Sequence, residues 1–249
     1  MSPRVFVTGG SGLLGLNLVL QKMQSYDFSV LENSRKINLP SVEIVHMDLG
    51  SFASIEAELK SSSPDVVIHA AGMTNVDDCD AHPIKANFIN GTLAGNLAKV
   101  TYELGIKLVH ISTDHLFDGT DRFISEDTSP KPLNAYGFSK ALGEEMVTKN
   151  NPDALIVRCN FFGWGPSYKP SFSDFIFNNL SKDKSIRLVD DVHYTPASTM
   201  NLIDSVHRLI EMDAVGIFNA VGSERISKYE FGSKVADIFG LPKNLIQRI

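Results

Sequence analysis

Tyr136 and Lys140 stand four residues apart in the run Asn134-Ala135-Tyr136-Gly137-Phe138-Ser139-Lys140. At that spacing two side chains share one helix face. A lysine ammonium beside a phenol favours the phenolate. A phenol so placed could protonate a carbonyl oxygen as hydride arrives, or remove that proton in the reverse direction. The pairing is common by chance, and its plain alternative is a half-buried helix face. Ser112-Thr113-Asp114 adds weight, because it ends a predicted strand, and open α/β sheets bind ligands at the C-terminal ends of their strands. Thr113 could polarise the carbonyl that Tyr136 protonates; the alternative is a hydroxyl bonding local backbone.

A second chemical element opens the chain: Thr8-Gly9-Gly10-Ser11-Gly12-Leu13-Leu14-Gly15. It lies between a predicted strand and a helix whose apolar positions include Leu14, Leu18 and Leu20, the context a phosphate cradle requires. Gly9 permits the tight turn, Gly12 lets backbone approach a pyrophosphate, and Gly15 brings the helix close to the sheet. The helix N-terminus offers free N–H groups and a positive dipole end to the anion. Ser11, Leu13 and Leu14 complete the expected contacts with a dinucleotide; the alternative is an ordinary tight turn. With a nicotinamide in place, its positive charge when oxidised would further favour the Tyr136 phenolate, and Lys140 could hydrogen-bond the nicotinamide ribose.

Roughly 20 residues further on, the residues that discriminate between the two nicotinamide dinucleotides are expected. The chain there reads Leu31-Glu32-Asn33-Ser34-Arg35-Lys36. Glu32 would accept both ribose hydroxyls and favour NAD. Arg35 and Lys36, with the Ser34 hydroxyl, would take a 2′-phosphate and favour NADP. Two cations and a hydroxyl in one turn tip the balance to NADP(H), with NAD(H) as the alternative. Asp48-Leu49, after the third strand, could sit at the adenine, or Asp48 could be a plain turn residue.

These groups need a scaffold, and the pattern supplies one. Predicted strands Arg4–Thr8, Ser29–Glu32, Glu43–His46, Val66–His69, Lys107–Ser112 and Ala154–Arg158 alternate with helices Leu13–Gln24, Ser51–Leu59, Ile84–Leu104 and Phe138–Lys149. Such alternation reads as an α/β, doubly wound parallel sheet of Rossmann type. Gly163–Phe172 breaks the pattern with Gly-Trp-Gly-Pro and Lys-Pro. Beyond it come a helix (Ser173–Leu180), a strand (Ile186–Val189), a helix (Met200–Met212), a strand (Gly216–Asn219) and a helix (Ser227–Phe239). The expected division is a dinucleotide-binding domain over residues 1–165, with later segments returning to it, and a small substrate-binding cap over residues 166–249.

The chain has 249 residues and a net charge of −6, which disfavours nucleic-acid and anionic-membrane partners. No apolar run reaches the roughly 20 residues of a membrane span. The first residues read directly as a strand, so no signal peptide is expected. Cys79 and Cys159, the only cysteines, have no metal-type spacing, and the seven histidines form no H-x-x-x-H pair. A cytoplasmic protein with reduced thiols and no metal is expected.

Together these motifs resemble the extended short-chain dehydrogenase/reductase superfamily. Thr8–Gly15 matches its T-G-x-x-G-x-x-G, Tyr136–Lys140 its Y-x-x-x-K, and Ser112-Thr113 its catalytic Ser/Thr position. Within it the chain is most similar to dTDP-4-dehydrorhamnose reductase and its relatives. That likeness rests on Pro64-Asp65-Val66-Val67-Ile68-His69-Ala70-Ala71-Gly72-Met73-Thr74-Asn75-Val76-Asp77, on Ser112-Thr113-Asp114-His115-Leu116-Phe117-Asp118-Gly119, and on the Tyr-Gly-x-Ser-Lys-x-x-Gly-Glu run ending at Glu144. The resemblance implies NAD(P)H-dependent reduction of the 4-keto group of a nucleotide-linked deoxysugar. Thr113, Tyr136 and Lys140 would be catalytic. Ala70, Ala71 and Gly72 would lie along the cofactor, with Asn90 supporting the active-site backbone beside it. Thr74, Val76, Thr113, Asp114, Asn160, Trp164 and Pro196 would face the substrate. Trp164 could stack on a base or sugar, or cap a core. Arg158 could reach a phosphate or form an internal ion pair. The helices Ile84–Leu104 and Phe138–Lys149 would pair in a homodimer.

The chain departs from the reductase pattern at Asp190-Asp191-Val192-His193-Tyr194-Thr195-Pro196 and at Asn160-Phe161-Phe162-Gly163-Trp164-Gly165, so the sugar stays open. Relatives usually run further beyond Pro242, and a truncated or naturally short cap is expected. Two alternatives remain. One is a nucleotide-sugar epimerase or dehydratase with tightly bound NAD; Asp114-His115 replaces the Asp-Glu usual in dehydratases, which argues against dehydration. The other is a non-catalytic, NADP-binding regulatory subunit resembling the methionine adenosyltransferase β subunit.

Overall fold

Apolar residues on both faces of short strands set the architecture. The computed structural model describes residues 2–33 and 35–249. In chain order its elements begin β1 (Arg4–Thr8), α1 (Leu13–Lys22), β2 (Asp27–Leu31), β3 (Glu43–Val45), α2 (Phe52–Ser62), β4 (Val66–His69), α3 (Val76–Ala81) and α4 (Pro83–Asn87). A π-helical turn (Phe88–Thr92), α5 (Leu93–Glu103), β5 (Lys107–Ile111), α6 (Ala135–Asn150) and β6 (Leu155–Cys159) follow. Then come β7 (Phe161–Phe162), α7 (Phe172–Leu180), β8 (Ile186–Leu188), β9 (His193–Tyr194), β10 (Ala197–Ser198), α8 (Thr199–Glu211), β11 (Gly216–Ala220), β12 (Ile226–Ser227), α9 (Lys228–Phe239) and β13 (Ile246–Arg248).

Seven strands form one sheet in the order β11-β6-β5-β4-β1-β2-β3, and every pair is parallel. Successive side chains point to opposite faces. Val5, Val7, Val66 and Ile68 join one core with Leu14 and Leu18 of α1 and Leu202, Ile203 and Val206 of α8. Phe6 and Val67 join the other with Ile55 and Leu59 of α2 and Leu97 of α5. Helices therefore cover both faces, as a buried parallel sheet demands. This is the doubly wound α/β fold that the strand–helix alternation predicts. The strand order reverses between β1 and β4, the crevice at which such sheets bind ligands.

The chain leaves this layer after β6 and returns to it. β10 pairs with β7, α8 covers the α1 face, and β11 pairs with β6. A separate core, with Ile176 and Leu180 of α7 and Phe231, Val235 and Ala236 of α9, closes the small second lobe.

Three local differences from expectation affect the site. Helix α6 starts at Ala135 rather than Phe138, because the Asn134 side chain accepts the Gly137 N–H at 2.8 Å and caps it. Tyr136 is thus helical, in register with Lys140. The single helix expected over Ile84–Leu104 is interrupted by the π-helical turn carrying Asn90, a feature often found at functional sites. Helix α3 was not expected; Asn75 caps it by accepting the Asp78 N–H at 2.9 Å. Elsewhere Leu20, expected on the apolar face of α1, is 50% exposed. No helix among the described residues is long and apolar enough to cross a membrane.

Candidate functional site

At the switch point lies a cleft of about 830 Å³, within the usual range for a ligand site. Its floor is the turn from β1 to α1. Gly9 has φ +78°, and a Cβ there would meet the Ala70 carbonyl at 2.6 Å. A Cβ at Gly15 would meet the Gly9 carbonyl oxygen at 2.4 Å, so only glycine lets the helix approach the turn so closely. Gly12 caps α1 with no side-chain hydrogen bond, and no acid occupies the first turn. The free N–H groups and positive helix end suit a diphosphate, so the residues fit the dinucleotide that the motif predicts. Gly9, Ser11, Gly12, Leu13, Leu14 and Gly15 all line the cleft, as do Arg35, Leu49, Ala70, Ala71, Gly72, Thr74, Tyr136 and Lys140.

Tyr136 and Lys140 lie one turn apart on α6, beside Ser112 at the end of β5. Burial pushes the Tyr136 phenol up to about 12, opposed by a side-chain hydrogen bond with Thr113. Thr113 does not line the cleft itself. It is 5% exposed, and its hydroxyl donates to Asp114 Oδ1 at 3.4 Å and accepts the His115 N–H at 3.2 Å. Lys140 Nζ donates to the Ile111 carbonyl at 2.7 Å and lies 3.4 Å from His110 Nε2, and desolvation dominates the phenol. At neutral pH the phenol is therefore an acid with a proton to give. Burial pulls the Lys140 ammonium down to about 8, against the opposing charge of Glu144 and then Cys159.

Asn90 does not line the cleft. Its amide accepts the Met73 N–H at 2.8 Å and donates to the Met73 carbonyl at 2.9 Å and to Ser139 Oγ at 2.8 Å. It thereby ties the loop after β4 to α6. Asp48 is also displaced from its expected role: its carboxylate accepts the Gly50 N–H at 2.8 Å and closes a local turn. Ser34 lies outside the described residues. Glu32 sits beyond the end of β2 and accepts the Ile37 N–H at 2.6 Å, leaving Arg35 as the charged residue of that turn in the cleft.

On the side expected for substrate, Thr74 alone of the residues outside the catalytic set lines the cleft. Val76 opens α3 and stays out of it. Asp114 and Asn160 bind one another, with Asn160 Nδ2 donating to both carboxylate oxygens at 3.0 and 2.8 Å. Trp164 lies outside the cleft, half exposed, and meets Phe177 and Phe239 edge-on, each at 5.6 Å. Pro196 lines a separate groove with Phe162 and Ile238. Arg158 is 3% exposed and makes an internal pair, Nη2 to Glu144 Oε2 at 2.8 Å.

The sequence reading placed Trp164 of the loop Gly163–Ser171 at the site but missed the loop's second half. Lys169, Pro170 and Ser171 line the cleft. Lys169 Nζ donates to Thr74 Oγ1 at 3.1 Å, Tyr168 Oη donates to the Ser11 carbonyl at 2.7 Å, and the Arg35 guanidinium lies 4.4 Å from the centre of the Tyr168 ring. The loop straps the small lobe across the mouth of the cleft. Its only signal in the sequence was the Gly- and Pro-rich break itself.

A family model described as the RmlD substrate binding domain matches residues 3–249. The chain is 31% identical over 249 residues to a probable low-salt glycan biosynthesis reductase of Haloferax volcanii, covering 97% of this chain and 82% of that protein. It is 29% identical over 255 residues to methionine adenosyltransferase 2 subunit beta of Xenopus laevis, covering 100% of this chain and 75% of that one. The fold superposes with a TM-score of 0.86 on dTDP-4-dehydrorhamnose reductase from Bacillus anthracis in complex with NADP, at 26% identity, covering 100% of this chain and 85% of that one.

Proposed function

The chain belongs to the RmlD substrate binding domain family, and on that premise we propose that it reduces the 4-keto group of a nucleotide-linked deoxysugar with NADPH. The observation carrying this reading is the placement of Tyr136 and Lys140, one turn apart on α6, in the same cleft as the glycine turn. The reductase names of the Haloferax and Bacillus relatives support it. The residues around the β1–α1 turn hold the diphosphate, with Ala70, Ala71 and Gly72 along the cofactor. Arg35 takes a 2′-phosphate, and Glu32 is already engaged with the Ile37 N–H, which favours NADP over NAD. Residues 1–165, with the returning α8 and β11, form the dinucleotide-binding domain, and the rest of 166–249 forms the cap over the substrate.

Bound NADPH supplies the hydride. Tyr136, protonated at neutral pH, gives its proton to the ketone oxygen as negative charge develops there. Thr113 orients the phenol and stabilises the phenolate left behind, and the nearby Lys140 ammonium favours that anion. Lys140 would also hydrogen-bond the ribose of the bound nicotinamide. Asn90 fixes the backbone of the loop after β4 against α6. Mixing the protein with NADPH and a dTDP-4-keto-6-deoxysugar is expected to deplete the reduced-nicotinamide absorbance. No turnover with either nicotinamide across a panel of ketosugars would remove the proposal.

A second reading has its own support, the 29% identity to methionine adenosyltransferase 2 subunit beta. Here the same fold binds NADP and serves assembly. A stoichiometric co-purifying partner, whose activity is unchanged by Tyr136→Phe, would select this reading.

A further inference from the structure

β4 and β5 set His69 directly opposite His110. The rings stack at 5.3 Å between centroids with planes 29° apart, and they are 2% and 0% exposed. On one side Thr8 Oγ1 meets His69 Nδ1 at 2.7 Å and accepts the Ala71 N–H at 3.2 Å. On the other, His110 Nε2 lies 3.4 Å from Lys140 Nζ. His69 Nε2 and His110 Nδ1 are buried without a partner.

An ammonium has three N–H donors and no lone pair. One N–H of Lys140 goes to the Ile111 carbonyl. His110 Nε2 can accept a second only as the neutral Nδ1–H tautomer, whose Nδ1–H then points into the unpartnered interior. A buried polar group left unpaired calls for a reason, and an apolar side chain would fill this position without that loss. We propose that His110 is a positioning residue whose neutral Nε2 accepts a hydrogen bond from Lys140, leaving one ammonium N–H for the cleft. This rests on the reading of Tyr136 and Lys140 as the reactive pair.

The surroundings agree. Burial first, then Lys140 and then His69, drive the basicity of His110 well below that of a free imidazole, so the ring stays neutral. Besides His110, the groups facing Lys140 are Tyr136 and Glu144 on its own helix, His69 on β4 and the Cys159 thiol on β6. Glu144 and Cys159 favour the ammonium through charge, whereas His110 is the side-chain hydrogen-bond acceptor at Nζ.

The test uses cofactor-free protein labelled with 13C-lysine, in which the Lys140 Cε resonance is assigned by its loss in Lys140→Arg and titrated with pH. Removing an acceptor from an ammonium lowers its pKa. His110→Phe is therefore expected to move the midpoint down by about one to two pH units, and His110→Gln to restore much of it. An unchanged midpoint in His110→Phe overturns the proposal. If that variant does not fold, the long-range 1H–15N imidazole spectrum of the wild type decides: a protonated Nδ1 on His110 supports the proposal, and a protonated Nε2 refutes it. Neither readout involves substrate or turnover, so failure of the reductase reading and failure of this one are separately visible.

Discussion

The Tyr168 hydroxyl donates to the backbone carbonyl of Ser11 at 2.7 Å, across 157 residues of sequence. It joins the loop of the small lobe to the glycine-rich turn between β1 and α1. Tyr168→Phe removes that bond and keeps the ring under Arg35. NADPH is expected to dissociate roughly 2- to 10-fold faster, the worth of one ordinary hydrogen bond, as measured by stopped-flow displacement. An unchanged off-rate would mean that the strap does not hold the cofactor.

Arg35 is the cation of its turn that lines the cleft. Arg35→Ala is expected to raise the KM for NADPH roughly 10- to 100-fold, as loss of a charged contact to phosphate implies, and to leave the KM for NADH nearly unchanged. Parallel rises with both cofactors would contradict the NADP assignment.

Tyr136→Phe removes the acidic proton and retains the ring. Turnover is expected to fall by roughly 100- to 10,000-fold, with the Kd for NADPH by fluorescence titration within about twofold of wild type. A variant with near-normal turnover would place the acid elsewhere.

Lys140 carries its charge below about pH 8, and burial is the main cause of this low value. Because the ammonium is the functional form, kcat/KM for NADPH at saturating ketosugar is expected to be flat up to about pH 7.5. Above pH 8 it should fall roughly tenfold per unit. The phenol, raised to about 12, adds no limb in that range. In Lys140→Met the residual activity should lose the alkaline limb.

Glu144 and Arg158 form a buried pair, with side chains 6% and 3% exposed. Glu144→Gln strands the guanidinium and is expected to cost about 3–5 kcal/mol, or about 10 °C in Tm for a domain of this size. Thermal denaturation at fixed pH measures it. Replacing both residues by leucine is expected to cost less than the single change.

What the sequence revealed follows the range of each interaction. Strand–helix alternation and the Tyr136–Lys140 spacing are local, and both could be read from a few consecutive residues. The cap of α6 was local as well: Asn134 lay in view, yet apolar periodicity placed the helix start three residues late. Pairings across the sheet left no such trace. Nothing adjacent to Asp114 points to Asn160, and nothing near Arg158 says whether Glu144 or a phosphate will meet it. The second half of the loop Gly163–Ser171 was legible only as a break, since the partners of Tyr168 and Lys169, namely Ser11, Arg35 and Thr74, lie in three separate loops. Trp164 shows the same limit: an aromatic in a glycine-rich loop suits a ligand and a core equally well, and in the structure it stands half exposed beside Phe177 and Phe239, outside the cleft.

The late return of β11 bears on how the chain is made. β6 gains its outer neighbour only when Gly216–Ala220 has been synthesised. Until then Leu155–Cys159 presents an unpaired edge to solvent, and such edges recruit other strands. A nascent polypeptide stalled short of Ala220 would be sticky, and productive folding of the whole sheet waits on the synthesis of β11.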